Sequence, residues 1–336
     1  MIHSGGLGDL ARYFSSSMTN GKIRSELNRL TKELSTGRVS DLAKSLTTQV
    51  DRVPDVSRRL GIARNAEKIS QMIGGQLGLV QLSLDAVDSR RLGLYETISV
   101  MSQSSGNAWH SEAADQAATT FEDMIAALNT RYAGKALFAG TAEDVSPFAD
   151  PGTILTDIRA TVAGLTTAAD VVAALDTWFD AAGGGFETVA YLGDDGDLAS
   201  RRIDPLTQIS FDARGDDPGI REVLKGVALT ALADDAGLAM SDAERDALVD
   251  LGAASLLASS SAFVDLQARV GADEARAEEA RARLTAEVLS LEIIYNSLVA
   301  ADPFETATEL EQMQIQMETH YAVTARLSQL TLTRYL

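Results

Sequence analysis

The side chains with which this chain could do chemistry are few: three histidines, one dense acidic turn and two isolated tryptophans. His3, His110 and His320 fall in an N-terminal arm, a loop and a C-terminal helix. None has a second histidine or a carboxylate at metal-ligand spacing. His320 lies on or beside a Met317/Tyr321 stripe and reads as a packing or solvent residue. The run Asp194-Asp195-Gly196-Asp197 offers oxygens of the kind calcium takes, but it lacks the full EF-hand spacing and the closing glutamate, so it reads as a hairpin turn. Trp109 and Trp178 stand alone, and no glycine-rich phosphate loop follows a strand. The absence of cysteine removes thiolate nucleophiles, disulfides and cysteine-bound zinc. No catalytic, cofactor-binding or metal-ligating residue is expected, and the chain does not read as an enzyme.

What the sequence does contain is long-range periodicity. From Leu256 in steps of seven come Leu256, Phe263, Val270, Ala277, Leu284, Leu291 and Leu298, all apolar and in one heptad phase. The N-terminal half answers with Ile73, Leu77, Val80, Leu84, Val87, Leu94, Ile98 and Met101, faulted only at Arg91. Water cannot cover such stripes, so the two segments are expected to pack antiparallel with the intervening chain as an insertion. Leu77, Val80, Leu84, Val87, Leu94 and Ile98 then form one side of a rod seam, and Leu284, Leu291 and Leu298 the other. The expected fold is mainly α, an elongated antiparallel helical rod or coiled coil formed by the N- and C-terminal segments, with a small inserted α/β domain.

Composition agrees with narrow helical seams. Aromatic residues are 5% of 336, too few for a thick core built on large rings. No run of about 18 apolar residues is evident, and the first residues lack the basic and apolar regions of a cleavable signal. Of the net charge of −19, residues 140–250 carry −15. So acidic a block repels nucleic acid and anionic membrane and reads as a solvated outer surface. Residues 1–60 carry +4 and 251–336 carry −6, opposite signs that suit two ends lying side by side.

Three regions follow. Residues 1–43 with 302–336 are terminal helical arms. Ile23, Leu27, Leu30 and Leu34 give the first arm one apolar face, closed by Gly37. Leu310, Met313, Met317, Tyr321 and Leu327 do the same for the second, which starts at Asp302-Pro303-Phe304-Glu305, an N-cap, an N1 proline and an N3 glutamate. Residues 44–152 with 215–301 make the rod, including a small β element near 136–152. Residues 153–214 make a small acidic α/β domain, with a capping box at Thr167 to Asp170 and strands expected at Phe186–Leu192 and Ile203–Phe211. The arms have a one-sided apolar face and no core of their own, so pairing within the molecule and polymerisation both stay open as their use.

The residues also resemble the flagellin-like family of axial bacterial flagellar proteins, and within it the hook-associated protein 3 group. Leu30-Thr-Lys-Glu-Leu34-Ser-Thr-Gly37-Arg38-Val39 is similar to the family's helix and Ser-Thr-Gly-x-Arg turn. Phe138-Ala139-Gly140-Thr141, Pro147-Phe148 and Tyr191-Leu-Gly193-Asp194 resemble motifs of the hook-filament junction group. So do Tyr321, Ala325, Leu327-Ser-Gln-Leu330, Leu332 and the closing Tyr335-Leu336. Val39-Ser-Asp-Leu-Ala-Lys stands where filament flagellin has an Asn-Ser-Ala-x-Asp-Asp stretch, which argues against flagellin itself. Gly5, Gly6 and Gly8 also depart from the family's polar start. The resemblance implies a structural protein at the junction of hook and filament, exported by the flagellar type III route and residing outside the cell. Its implied partners are further copies of itself, a hook-associated protein 1 type junction protein, flagellin and a flagellar export chaperone. The assembly interface would include Leu27, Leu30, Leu34, Leu310, Met313, Met317, Tyr321, Leu327, Leu330, Tyr335 and Leu336. Filament flagellin, or another type III secreted coiled-coil protein, is the alternative.

Overall fold

The structure, a computed structural model, describes residues 5–41, 52–102, 108–196 and 198–332, with side chains over 13–41, 52–102, 109–196 and 200–326. It is mainly α. In chain order come α1 (Gly5–Thr36), α2 (Arg52–Met101), α3 (Ala108–Leu128), a hairpin of β1 (Arg131–Tyr132) and β2 (Lys135–Ala136), α4 (Pro151–Val162) and α5 (Ala168–Asp180). A π-helical turn (Phe186–Ala190) precedes the hairpin of β3 (Leu198–Arg202) and β4 (Gln208–Phe211). Then follow α6 (Pro218–Ala231), α7 (Asp242–Ala258), α8 (Ser260–Val299) and α9 (Pro303–Leu332). Side-chain caps start the helices where the sequence placed them. Thr167 accepts from the Asp170 N–H, Asp217 from Gly219, Ser241 from Glu244, and Asp302 from Phe304 and Glu305.

The chain divides into two compact units, a terminal unit of residues 1–64 and 286–336 and a central unit of 65–285. In the central unit, α6 is buried nearly all round, as its uninterrupted small and apolar residues require. It packs against α3, α5 and α7. The α2 stripe from Ile73 to Ile98 joins the same core, with Leu256, Phe263, Leu266, Val270, Ala277 and Leu284. The pairing is antiparallel: Gln267 donates to Asp85 at 3.0 Å, Ser70 to the Ala277 carbonyl at 2.8 Å and Thr285 to Glu67 at 2.7 Å. Residues of 153–214 share this core through Ile154, Ile158, Trp178, Phe186 and Phe211. Neither 153 nor 214 separates compact units.

That register corrects part of the expected seam. Leu284 lies in the central core, but Leu291 packs in the terminal unit with Val56, Leu60, Ala63 and Val288, and Leu298 lies half-buried beside them. The reason is geometric: in an antiparallel pair each step forward on α8 is a step back on α2, and Arg64 pairs with Glu292. The residues opposite Leu291 therefore precede Leu77.

Two further expectations change. Phe186–Leu192 is not a strand. Thr188 donates to the Gly184 carbonyl and Tyr191 to that of Phe186, winding a π turn that buries Phe186 among Trp178, Phe179 and Tyr191. Gly185 makes this possible, since a Cβ there would lie 1.8 Å from Nε1 of the Trp178 ring. In addition, an 18-residue window within Asp242–Val299 reaches a mean hydropathy of 1.6, enough by length and composition to cross a membrane, where the sequence reading saw no such run. The helices of that stretch bury Leu248, Val249, Leu256 and Phe263 in the core.

Candidate functional site

The terminal unit brings the two arms together at one turn. α1 ends at Gly37, whose φ of +66° is left-handed and whose N–H donates to the Glu33 carbonyl at 2.8 Å. The chain then makes an antiparallel bridge between Arg38 and Ala300, the linker between α8 and α9. Val39 donates to the Val299 carbonyl at 2.9 Å and Ala301 to that of Gly37 at 3.0 Å. α9 begins two residues later, capped by Asp302. The Ser-Thr-Gly-x-Arg turn thus fixes where the second arm starts relative to the first.

A buried carboxylate holds this turn. Glu33 accepts from the Ser40 N–H and from Arg29, each at 2.7 Å. Arg29 also pairs with Glu26 at 2.7 Å and lies 3.7 Å from Glu309 on α9. The Glu26 and Glu33 carboxylates raise the Arg29 guanidinium further above its usual value and keep it charged. A cavity of about 520 Å³ opens beside it, with Asp41, Asp302 and Glu305 also on its walls. Among the described residues no group of histidines and carboxylates is arranged to hold a metal.

Along their length α1 and α9 pack on each other, yet little is buried between them. Ile23, Leu30 and Glu33 on α1 and Thr306 on α9 are the buried residues among those described. Leu27, Leu310, Met313 and Met317 are half-buried, whereas Leu34 and Tyr321 are exposed. Polar contacts supplement the seam. Arg24 donates to the Tyr321 hydroxyl at 2.9 Å, holding that phenol below its ordinary pKa, and Ser16 lies 3.4 Å from Nε2 of His320. The side chains of Leu327, Leu330, Tyr335 and Leu336, and His3, lie outside the described residues. Sequence reasoning missed Tyr13, Phe14 and Met18 on α1 and Phe304, Ile315 and Val323 on α9, all exposed. Their signal was available: large apolar residues off the paired stripe of a helix with no other neighbour.

The other quoted motifs converge in the central unit. Tyr191 donates its hydroxyl to the Phe138 carbonyl at 3.1 Å and the Asp194 carbonyl at 3.2 Å, and its ring meets Phe148 at 5.8 Å. Burial raises the Tyr191 phenol well above its ordinary value, so it stays a proton donor. Thr141 donates to Asp194 at 2.6 Å. Gly140, at φ +59°, is approached so closely by the Asp194 carbonyl that a Cβ would lie 2.4 Å from it. These residues form a structural knot. Asp194 spends its carboxylate on Thr141 and the Gly196 N–H, as a turn does. His110 is not in a loop but in the first turn of α3, buried and 2.6 Å from Asp246 on α7.

The fold and its paired ends define a class: helical chains whose N- and C-terminal helices lie together. Residues 260–336, covering α8 and α9, match the family model of the bacterial flagellin C-terminal helical region. The fold is shared with a provisionally named flagellar hook-associated protein from Vibrio parahaemolyticus, at a TM-score of 0.52 and 9% identity, over 75% of this chain and 99% of that one. It is shared also with FlgL of Xanthomonas campestris, at 0.51 and 12%, over 72% and 99%. No curated protein sequence matches the chain. The chain thus carries a flagellin-type C-terminal helical region in a fold like that of flagellar hook-associated proteins.

Proposed function

We propose that this protein is a structural component of the bacterial flagellum, acting outside the cell at the junction between hook and filament. The observation that carries this is the thin burial between α1 and α9. Helices of 32 and 30 residues that bury four described side chains between them gain little from each other. Isolated helices are marginal in water, and a one-sided apolar face gains stability when neighbours cover it. Exposed Tyr13, Phe14, Met18, Ile315 and Val323 are the surface such neighbours would cover. The flagellin-type C-terminal region and the fold shared with FlgL support the flagellar reading. In it the arms of several copies pack into a ring that meets a hook-associated protein 1 type subunit on one side and flagellin on the other. A flagellar export chaperone guards the arms before export. No reaction is performed and no cofactor is used.

Deleting the gene and imaging the cells tests this. Hooks without attached filaments, with flagellin shed into the medium, are expected. The alternative, filament flagellin, has its own outcome: the purified protein would grow into long filaments, and the deletion strain would shed no flagellin.

A further inference from the structure

Charge is divided unequally between the two units. Residues 1–64 and 286–336 carry 13 basic and 13 acidic side chains, whereas residues 65–285 carry 16 and 35, so the whole net charge of −19 sits on the central unit. One face of that unit is nevertheless almost free of charge. Where α2 runs antiparallel to α7 and α8, the side turned away from the core exposes Leu82 (63%), Leu92 (42%), Leu257 (56%) and Val264 (50%). The Gln267 to Asp85 hydrogen bond of 3.0 Å ties the two rows together. Leu82 and Leu92 are ten residues apart, close to three helical turns. Leu257 and Val264 are seven apart, the spacing at which one helix meets another along a seam. Among the described residues of this strip Asp85 is the one charged side chain, and it accepts from Gln81 as well as Gln267.

We propose that a second copy of this chain packs its central unit against this strip. The inference rests on the self-assembly reading given above and names the lateral contact that assembly would use. Two bodies of like charge repel wherever their charged surfaces meet, so neighbouring copies can touch only where charge is absent. The strip is such a place on a unit that is otherwise strongly acidic. It is also lined by large apolar side chains in two rows with a shallow groove between them, into which a helix of the neighbouring copy fits. A basic partner would have no reason to prefer the uncharged face. The remaining repulsion makes the contact salt-dependent, tighter as screening shortens the reach of the acidic surface.

The chain has no cysteine, so a single introduced thiol is a unique probe. Val264→Cys places it in the strip, and Leu206→Cys places a control on the exposed tip of the β3–β4 hairpin. Maleimide labelling is followed in monomer and in the assembled protein at raised ionic strength. The expected result is that Val264→Cys reacts freely in the monomer and slows on the order of tenfold or more on assembly, while Leu206→Cys reacts in both. Equal reactivity of Val264→Cys in both states overturns the contact. Leu257→Asp is the second probe: the monomer keeps its circular dichroism and melt, and assembly weakens on the order of tenfold. Unchanged assembly of that variant overturns the proposal. Failure of the wild-type chain to associate under any condition overturns the self-assembly reading and this contact together, whereas assembly that leaves the strip open overturns the contact alone.

Discussion

The Arg91 guanidinium, buried in the central core, donates to the Leu256 carbonyl at 2.8 Å at the end of α7. Arg91 is the one fault in the α2 heptad, and the structure gives the fault a purpose. α7 and α8 are separated at Ser259, and the break leaves carbonyls of the last turn of α7 without helical donors. Arg91 and the Ser259 hydroxyl, also 2.8 Å from the Leu256 carbonyl, satisfy that group, and Asp88 pairs with Arg91 at 2.7 Å. Replacing Arg91 with alanine should destabilise the central unit by about 1.5–3 kcal/mol, the range for hydrogen bonds to charged groups. Urea unfolding followed by circular dichroism measures it, and an unchanged midpoint would remove the capping role.

Leu291→Ala should lower the stability of the terminal unit by about 2–5 kcal/mol. Its partners are Val56, Leu60 and Ala63, so a double-mutant cycle with Leu60→Ala should show coupling and one with Leu77→Ala should not. Coupling to Leu77 alone would restore the seam that the heptads first suggested.

The β3–β4 hairpin is predicted to loosen at acid pH through Asp204. Burial by itself would raise this carboxyl, but donation from Arg283 and from the Leu206 and Thr207 N–H groups outweighs it and holds the group below 3.8. A carboxylate depressed in the fold stabilises above its unfolded value and loses that contribution as pH falls through the folded one. Asp204→Asn should therefore destabilise the central unit at neutral pH and match wild type in strong acid. An equal penalty at both ends of the pH range would contradict this.

Gly37→Ala should weaken the joining of the arms. No atom lies within 4 Å of the added Cβ, so the cost is the left-handed backbone alone, about 1–2 kcal/mol. Glu33→Ala should act at the same place by leaving Arg29 and the Ser40 N–H without their shared acceptor. Both variants are expected to keep the central unit's melt and to assemble less readily. A variant that assembles as wild type would show that the turn does not position the arms.

Much of this fold was legible in the sequence because its signals are local or periodic. The caps at Thr167, Asp217, Ser241 and Asp302 follow from two or three residues each, and the stripes from Ile73 and Leu256 from a repeat of seven. What was not legible depends on contacts distant in sequence. The partner of Leu291 is set by register, which no heptad phase fixes. Phe186 winds into a π turn because Gly185 lets Trp178 close over it, and nothing within 186–192 announces that. His110 reads as a loop residue until α7 brings Asp246 to it. At the arms, the stripe through Leu27, Leu30, Met313 and Met317 was visible, but the exposure of Tyr13, Phe14 and Ile315 emerged only when α1 and α9 were seen to cover so little of each other.

The account's central claim is that the arms are completed by neighbouring copies. Hydrogen exchange on the backbone of α9, from Leu310 to Val323, tests it most directly when the monomer is compared with assembled protein. The predicted result is rapid exchange in the monomer, at or near the rate of an unpaired chain, and strong protection after assembly. Strong protection already present in the monomer would show that α1 and α9 are stable alone and would contradict the claim.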